Sequence, residues 1–190
     1  QLHSDYLFYS SYERVYKIEN ALKSGHGTGF LMQTARGKNV IVTNVHVCDG
    51  VGPVAVVNIE GVPYTTTAFY KDQKADLCLM SYPAINTTMG FHLSPEEPYV
   101  NEDIWTFGYP LDHIKHLSKG AVSGDRTVEI MEPYDAEKPN CEFPQLVFIY
   151  LVCMKERPAT ETSAFIFPGN SGSPVFNKFG DVVGVMFAGN

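Results

Sequence analysis

The sequence predicts an all-β protein whose many short strands form barrels or a sandwich. Short runs of β-branched and aromatic residues recur along the 190 residues, and Gly, Pro, Asn and Asp separate them. Hydrophobic residues make up 44% of the chain, which is enough to build a core and argues against disorder. A chain of this length is expected to form one domain over residues 1–190.

The apolar runs fall into two sets of about six predicted strands each. The first set lies near residues 14–19, 27–33, 39–43, 54–59, 63–70 and 77–82. The second set lies near residues 103–108, 117–123, 126–131, 145–154, 172–177 and 182–188. A helical period is considered only for the N-terminal residues 3–13.

A stretch rich in proline and acidic residues separates the two sets. It occupies residues 93–102, so residues 91–102 are predicted to link a first unit, 14–90, to a second unit, 103–190. Residues 133–144 are predicted to form a surface loop.

A serine stands between glycines near the end of the chain, in the sequence PGNSGSP at residues 168–174. The glycines let the backbone turn sharply, so that the Ser171 hydroxyl projects and neighbouring N–H groups point the same way. This pattern predicts a nucleophile at Ser171 and an oxyanion hole formed by Gly169, Asn170 and Ser171. A serine in a glycine turn is common, so the interpretation depends on two further residues.

The first of these is a histidine at the end of a predicted strand. His46 follows the β-branched run at residues 40–42, and Thr43 and Asn44 are interpreted as the turn that ends the strand. Such a place suits a general base, because the strand fixes its position and the turn exposes it.

The second is an aspartate at the start of another apolar run. Asp76 precedes residues 77–80, where a carboxylate is shielded from water yet able to hold an imidazole in one tautomer. Asp72 lies among lysines and a glutamine and is interpreted as a solvated turn residue. Alone, a histidine or aspartate in such a place is usually an ordinary turn or cap residue. The order His46, Asp76, Ser171 in three fitting contexts predicts a catalytic triad.

With these three residues in these contexts, the chain resembles trypsin-like (chymotrypsin-fold) serine proteases, most closely the HtrA/Deg-like and glutamyl-endopeptidase-like bacterial-type branch. Six motifs occur in the order of that branch: GTGFL at 27–31, TNVHV at 43–47, DLCL at 76–79, FGYP at 107–110, KGAVSG at 119–124 and GNSGSPVFN at 169–177. The separation of His46 and Asp76, 30 residues, is short as in the HtrA-like members. The resemblance covers roughly residues 14–188.

The resemblance implies two six-stranded antiparallel Greek-key barrels with the active site in the cleft between them. His46 and Asp76 would lie on the first barrel and Ser171 on the second. Because the sequence ends at Asn190, the second barrel would lack the family's last strand and C-terminal helix. Residues 1–13 or a neighbouring chain, as in a homo-oligomer, would then close its edge.

The resemblance also implies peptide hydrolysis through an acyl-enzyme on Ser171, with a polypeptide as the substrate. Two alternatives stay open at this point. One is an inactive peptide-binding module on the same fold, and the other is a polyprotein-type protease that releases itself and keeps its own end in the cleft.

Substrate preference is inferred from the family's pocket positions. Those positions correspond here to Phe165, Met186, Phe187, Ala188 and Gly189. No acidic residue stands at the pocket base, which disfavours a basic P1 residue, and no histidine stands on the wall, which disfavours Gln or Glu. A small or medium apolar P1 residue is expected, although Phe165 and Phe187 are equally compatible with plain core positions.

Charge and composition exclude other classes. The net charge of −7 and the pI near 5.3 argue against a nucleic-acid partner. No apolar run reaches about 18 residues, so no membrane span is expected. No cofactor and no metal are expected, because His113 and His116 would need two more zinc ligands. A secreted or periplasmic location is slightly favoured.

The four cysteines match no metal-binding spacing. Cys48 and Cys78, each two residues past a predicted triad member, are interpreted as small buried apolar residues. A disulfide between Cys141 and Cys153 across a hairpin is left open.

Overall fold

A computed structural model of the chain describes residues 2–20, 26–83, 89–110, 114–164 and 169–187. The chain divides into two compact units. The first unit comprises Gln1–Val122 and Thr162–Asn190, and the second comprises Ser123–Glu161. Strands account for 51% of the structure and helices for 12%, which confirms the all-β class.

The first sheet is antiparallel and has seven strands in the order β5-β4-β1-β2-β3-β7-β6. Its strands are β1 (Val15–Glu19), β2 (His26–Gln33), β3 (Asn39–Thr43), β4 (Ala55–Ile59), β5 (Val62–Thr66), β6 (Ala68–Asp72) and β7 (Leu77–Ser81). The predicted single strand at 63–70 is wrong, because the chain passes from one edge of the sheet to the other at Thr67. There Ser81 N–H donates to Thr67 O at 3.2 Å, and this bond helps to curl the sheet into a barrel.

Alternate side chains along the strands of this sheet are buried and form its core. In β4, for example, Ala55, Val57 and Ile59 are buried while the residues between them are half-buried. A short helix, α2 (Val45–Val51), covers the same core with Val45, Val47, Cys48 and Val51.

Four strands of the first unit form the second sheet, in the order β9-β8-β12-β13. They are β8 (Asp103–Gly108), the start of β9 (His116–Pro133), β12 (Pro174–Phe176) and β13 (Val182–Val185). The runs predicted separately at 117–123 and 126–131 belong to the single strand β9. Gly124, at φ +145°, adopts a conformation open to glycine and lets the strand continue where a turn was expected.

Residues 91–94 run between these two sheets. Phe91 N–H donates to Leu31 O and Val182 N–H donates to His92 O, both at 2.8 Å. The fully buried Phe91 ring stacks on Phe176, with centroids 5.6 Å apart. The start of the predicted linker is therefore part of the core, while the exact domain boundaries stay a prediction.

The N-terminal residues for which a helical period was considered form the helix α1 (Leu2–Ser11), and a 3-10 turn, Tyr12–Arg14, follows it. Leu7 is fully buried against the second sheet, and the Phe8 ring lies 5.2 Å from that of Phe107. Trp105 Nε1–H donates to Ser4 Oγ at 3.0 Å. The N-terminal segment thus packs against the second sheet, and closure of the edge of that sheet by residues 1–13 stays a prediction. No helix among the described residues is long and apolar enough to cross a bilayer.

The Ser4–Trp105 bond gives a testable prediction for this helix. Ser4→Ala should lower the free energy of unfolding by about 1 kcal/mol, because the N–H of the buried Trp105 indole loses its acceptor. Trp105 is the only tryptophan in the chain, so its fluorescence reports the transition directly. Ser10→Ala, which removes only a long 3.4 Å bond within the helix, is the control and should change stability by a smaller amount.

The second unit contains the rest of β9 with β10 (Gln145–Val147) and β11 (Tyr150–Thr162). A single strand was predicted at 145–154, and this is wrong: the chain turns at Phe148 and Ile149, and Leu146 pairs with Leu151. Phe148 adopts φ +55°, a conformation that bulky residues rarely adopt. A phenylalanine at this position therefore did not indicate a turn. The Cys141–Cys153 disulfide, left open by the sequence, is present across this hairpin.

Candidate active site

His46 lies in the helix α2, which the sequence did not predict; of the two residues predicted to form a turn before it, Thr43 is the last residue of β3 and Asn44 occupies the N-cap position of the helix. Asn44 precedes the helix in an extended conformation, and Gly52, at φ +84°, follows it. The apolar residues on both sides of His46 are buried in the core of the first sheet, which fixes the helix. The His46 side chain is 49% exposed and is therefore available to a second reactant.

Asp76 holds His46 through two hydrogen bonds. Its Oδ2 lies 2.8 Å from His46 Nδ1, and its Oδ1 accepts the His46 main-chain N–H at 3.2 Å. The aspartate precedes β7 with φ +55°, a left-handed conformation that Asp and Asn tolerate better than most residues. Asn44 Nδ2 donates to Asp76 O at 3.0 Å and fixes the aspartate from the other side.

The Asp76 carboxylate affects which ring nitrogen of His46 carries the proton. The Asp76 side chain is 8% exposed, and a shielded carboxylate favours the tautomer in which Nδ1 carries the proton. Nε2 then presents a lone pair and is able to take a proton from a hydroxyl.

Asp72 is a turn residue, as predicted. Its Oδ1 accepts the main-chain N–H groups of Lys74 and Ala75, both at 3.1 Å, at the end of β6. This is the turn that delivers the chain to Asp76.

Ser171 lies in a tight turn, residues 169–173, here called the serine loop. Gly169 and Gly172 have φ +100° and +90°, conformations that only glycine adopts without strain. Ser173 N–H donates to Asn170 O at 3.0 Å, and Gly172 N–H donates to Met186 O at 2.8 Å. The loop then enters β12 at Pro174.

The direction of the peptide groups in the serine loop leaves main-chain N–H donors available. Asn170 O is engaged by Ser173, and the N–H of Ser171 belongs to the same peptide and points the opposite way. In the part of the chain that the structure describes, the N–H groups of Gly169 and Ser171 have no acceptor. Two N–H groups with no acceptor among the described residues, beside a serine, suit a negatively charged oxygen.

The serine loop contacts β2, which pairs with β3, the strand that precedes the helix of His46. Thr28 N–H, in β2, donates to Ser171 O at 2.9 Å. A Cβ added to Gly27 would lie 2.7 Å from Val47 Cγ2 and 3.3 Å from Ser171 O, so the neighbour of His46 and the serine backbone approach the same glycine. Across the described residues no hydrogen bond joins Ser171 Oγ to the His46 ring.

Two of the predicted pocket residues are described. Met186 is buried, and its N–H donates to Ser173 O at 2.9 Å, while Phe187 is half-buried. Phe165, Ala188 and Gly189 lie outside the described residues, as does His113. His116 is exposed at the start of β9.

The interpretation of Cys48 and Cys78 as free buried residues is wrong, because they form a disulfide. Cys78 pairs with Thr43 in the β3–β7 ladder, and α2 returns Cys48 over that ladder. The disulfide thus connects the helix of His46 to the strand that Asp76 precedes.

Sequence reasoning also missed Thr28 and Asn44, which hold parts of the site. Thr28 was visible only as the second residue of the GTGFL motif, and Asn44 only as a turn residue. Tyr109, whose N–H donates to Thr28 Oγ1 at 3.1 Å, follows β8 in the FGYP motif. Burial, reinforced by the nearby Tyr12 and Glu13, raises the pKa of the Tyr109 phenol, which therefore stays uncharged beside the site.

The chain is similar in sequence to known serine proteases. A family model described as a trypsin-like peptidase domain matches residues 27–185. The chain is 28% identical over 167 residues to the serine protease Do-like HtrA of Bacillus subtilis, covering 86% of this chain and 33% of that protein. It is 29% identical over 171 residues to a probable periplasmic serine endoprotease, DegP-like, of Chlamydia pneumoniae, covering 85% and 28%. The chain thus spans about a third of the length of these relatives.

Solved structures show the same fold. The active form of the Rv3671c protease from M. tuberculosis superposes with a TM-score of 0.75 at 20% identity, covering all of this chain and 76% of that one. Deg5 superposes with a TM-score of 0.68 at 20% identity, covering 98% and 85%. The two curled antiparallel sheets are therefore the half-barrels of a chymotrypsin-like two-barrel fold, which confirms the predicted fold class.

Proposed function

Because this chain belongs to the trypsin-like peptidase domain family, and so to the serine proteases, we propose that it is a serine endopeptidase acting through Ser171. One observation carries the proposal: the Asp76 carboxylate orients His46 at 2.8 Å, on the sheet against which the serine loop is hydrogen-bonded. The substrate is a polypeptide.

Each residue has a defined role in the proposed reaction. Ser171 Oγ attacks the scissile carbonyl carbon while His46 Nε2 takes the hydroxyl proton. The C–N bond then breaks, His46 gives the proton to the leaving amine, and an acyl-enzyme ester remains on Ser171. Water, with its proton taken by His46, hydrolyses the ester and regenerates the hydroxyl.

The other two groups stabilise charge in these steps. Asp76 stays ionised and stabilises the imidazolium that forms on His46. The N–H groups of Gly169 and Ser171, in the turn with Asn170, bind the oxyanion of each tetrahedral intermediate. No cofactor or metal takes part.

The substrate preference proposed is a small or medium apolar P1 residue. It depends on the pocket residues Phe165, Met186, Phe187, Ala188 and Gly189, and the burial of Met186 supports it. A secreted or periplasmic location is proposed because two disulfides are present and because relatives carry the word periplasmic in their names.

A serine-reactive probe tests the proposal. A fluorophosphonate should label the purified wild-type protein, and Ser171→Ala should remain unlabelled. Ser173→Ala, in the same loop, is the matched control and should still be labelled, because Ser173 Oγ is buried. Labelling of Ser171→Ala, or none of wild type, would refute the proposed nucleophile.

A peptide-library cleavage profile, with Ser171→Ala as the blank, tests the preference separately. Cleavage after small or medium apolar residues is expected. Strong cleavage after arginine would refute the pocket assignment and leave the nucleophile untouched.

A further inference from the structure

Thr28 lies where the first sheet meets the serine loop, and it is fully buried. Its main-chain N–H donates to Ser171 O at 2.9 Å, and its hydroxyl donates to Gly169 O at 2.8 Å. One residue of β2 therefore holds two of the three carbonyls in the stretch that contains the predicted nucleophile.

The direction of the Thr28 hydroxyl is fixed. A hydroxyl has a single proton to donate, and here Gly169 O accepts it. Tyr109 N–H, donating to the same oxygen at 3.1 Å, occupies one of its lone pairs. Because its proton and one lone pair both have main-chain partners, the hydroxyl has little freedom to turn away from Gly169.

A second buried threonine extends this arrangement toward His46. Thr43 Oγ1 donates to Thr28 O at 2.7 Å, and Thr43 is fully buried. Thr43 ends β3, and only two residues separate it from His46. The hydrogen-bonded chain Thr43–Thr28–Gly169 thus connects the strand before the histidine to the loop that carries the serine.

Gly172 shows how closely the loop is held against the two threonines. A Cβ at this position would overlap both Thr28 O and Thr43 Oγ1. Gly172 also has φ +90°. Glycine suits this position for two reasons, because there is no room for a Cβ and because the backbone is left-handed.

We propose that Thr28 is a positioning residue for the hydrolysis, whose hydroxyl fixes Gly169 and thereby the oxyanion-binding N–H groups of the serine loop. Glycine is conformationally permissive, so Gly169, at φ +100°, needs an external contact to keep one orientation. The Thr28 hydroxyl supplies that contact. Oxyanion donors accelerate the reaction only when they are oriented in advance, so the effect falls on the transition state and on kcat. The inference rests on the proposed function.

Variants that differ in the hydroxyl alone test this role. Thr28→Ser keeps the hydroxyl and Thr28→Ala lacks it, and both are smaller than threonine. The serine variant should keep kcat within about twofold of wild type. The alanine variant should lose roughly tenfold in kcat with KM nearly unchanged, because the oxyanion donors lose one supporting hydrogen bond and bind the transition state less well. Thr28→Val, which keeps the volume, should match the alanine variant.

Thr66→Val is the matched control. Thr66 is a buried threonine of the same sheet whose hydroxyl donates to Ser81 O, between β5 and β7. Its removal should lower the unfolding temperature and leave kcat unchanged, which separates positioning from general stability.

A transition-state analogue provides a second readout. A peptidyl trifluoromethyl ketone adds to Ser171 Oγ and places an oxyanion in the loop, whereas a plain peptide does not. Its affinity should fall roughly tenfold in Thr28→Ala, in step with kcat. The affinity of a plain peptide, measured on the Ser171→Ala background, should not change.

Equal kcat values for the serine and alanine variants would overturn the proposal. So would an equal loss in both, because the methyl group and not the hydroxyl would then matter. Failure of both the alanine and the valine variants to fold would assign Thr28 a purely structural role. A wild-type protein that neither cleaves peptides nor reacts with the probe would refute the proposed function itself.

Discussion

Asp76→Asn should lower kcat by about 10⁴-fold while the protein stays folded, the size of the effect in a well-studied triad. Asp76 Oδ1 accepts the His46 main-chain N–H at 3.2 Å, and an asparagine oxygen is able to keep that bond. The amide Nδ2 would then face His46 Nδ1, now 2.8 Å from Oδ2. A donor there forces the ring into the tautomer with the proton on Nε2, which cannot accept a proton from Ser171.

The backbone supports this as a clean substitution. Asp76 has φ +55°, and asparagine is at least as tolerant of that conformation as aspartate. The Asn44 bond to Asp76 O involves the main chain and is unaffected. The melting temperature should therefore change little, so a loss of activity reports on the histidine.

Asp72→Asn is the matched control, because it makes the same chemical change in the adjacent turn. Its side chain caps the N–H groups of Lys74 and Ala75 and does not contact His46. Steady-state kinetics on one peptide substrate should show near-wild-type kcat for Asp72→Asn. Retention of more than a tenth of wild-type kcat by Asp76→Asn would contradict the proposed role of Asp76.

The sequence predicted the His46–Asp76 pair because each residue stands at the boundary of a strongly apolar run. Such runs form strands whichever way the rest of the chain folds, and β3 and β7 prove to be neighbours. The local conformation of His46 was less predictable. The residues around it alternate valine with polar residues, a pattern that suits a strand as well as a short helix, and tertiary burial of one helix side decides between them.

The errors in strand boundaries have a common cause. At Thr67 the chain passes from one edge of the first sheet to the other, and at Phe148 it reverses, and neither place has the Gly, Pro, Asn or Asp on which turn prediction depends. At Gly124 the opposite holds, since a glycine between two runs that were predicted as separate strands lies inside one continuous strand. At Thr67 and Phe148 the pairing of the flanking strands, and not the local residue types, determines the conformation.

The Cys48–Cys78 disulfide was missed for the same reason, since its formation depends on how α2 returns over the β3–β7 ladder. The Cys48–Cys78 disulfide predicts a large effect on the free energy of unfolding. It closes a loop with a sequence separation of 30 residues. Removing the cross-link frees the unfolded chain, and a loop of this size contributes about 3.5 kcal/mol in the chain-entropy estimate.

The double variant Cys48→Ala/Cys78→Ala should therefore lower the free energy of unfolding by about 3.5 kcal/mol, measured by denaturant titration with Trp105 fluorescence. Below its unfolding transition it should keep most of its kcat, because two bonds from Asp76 and one from Asn44 still hold His46 and Asp76 together. Removing Cys141 and Cys153, with the shorter separation of 12 residues, should destabilise less. A change below about 1 kcal/mol in the first variant would mean that α2 and β7 are held by packing alone.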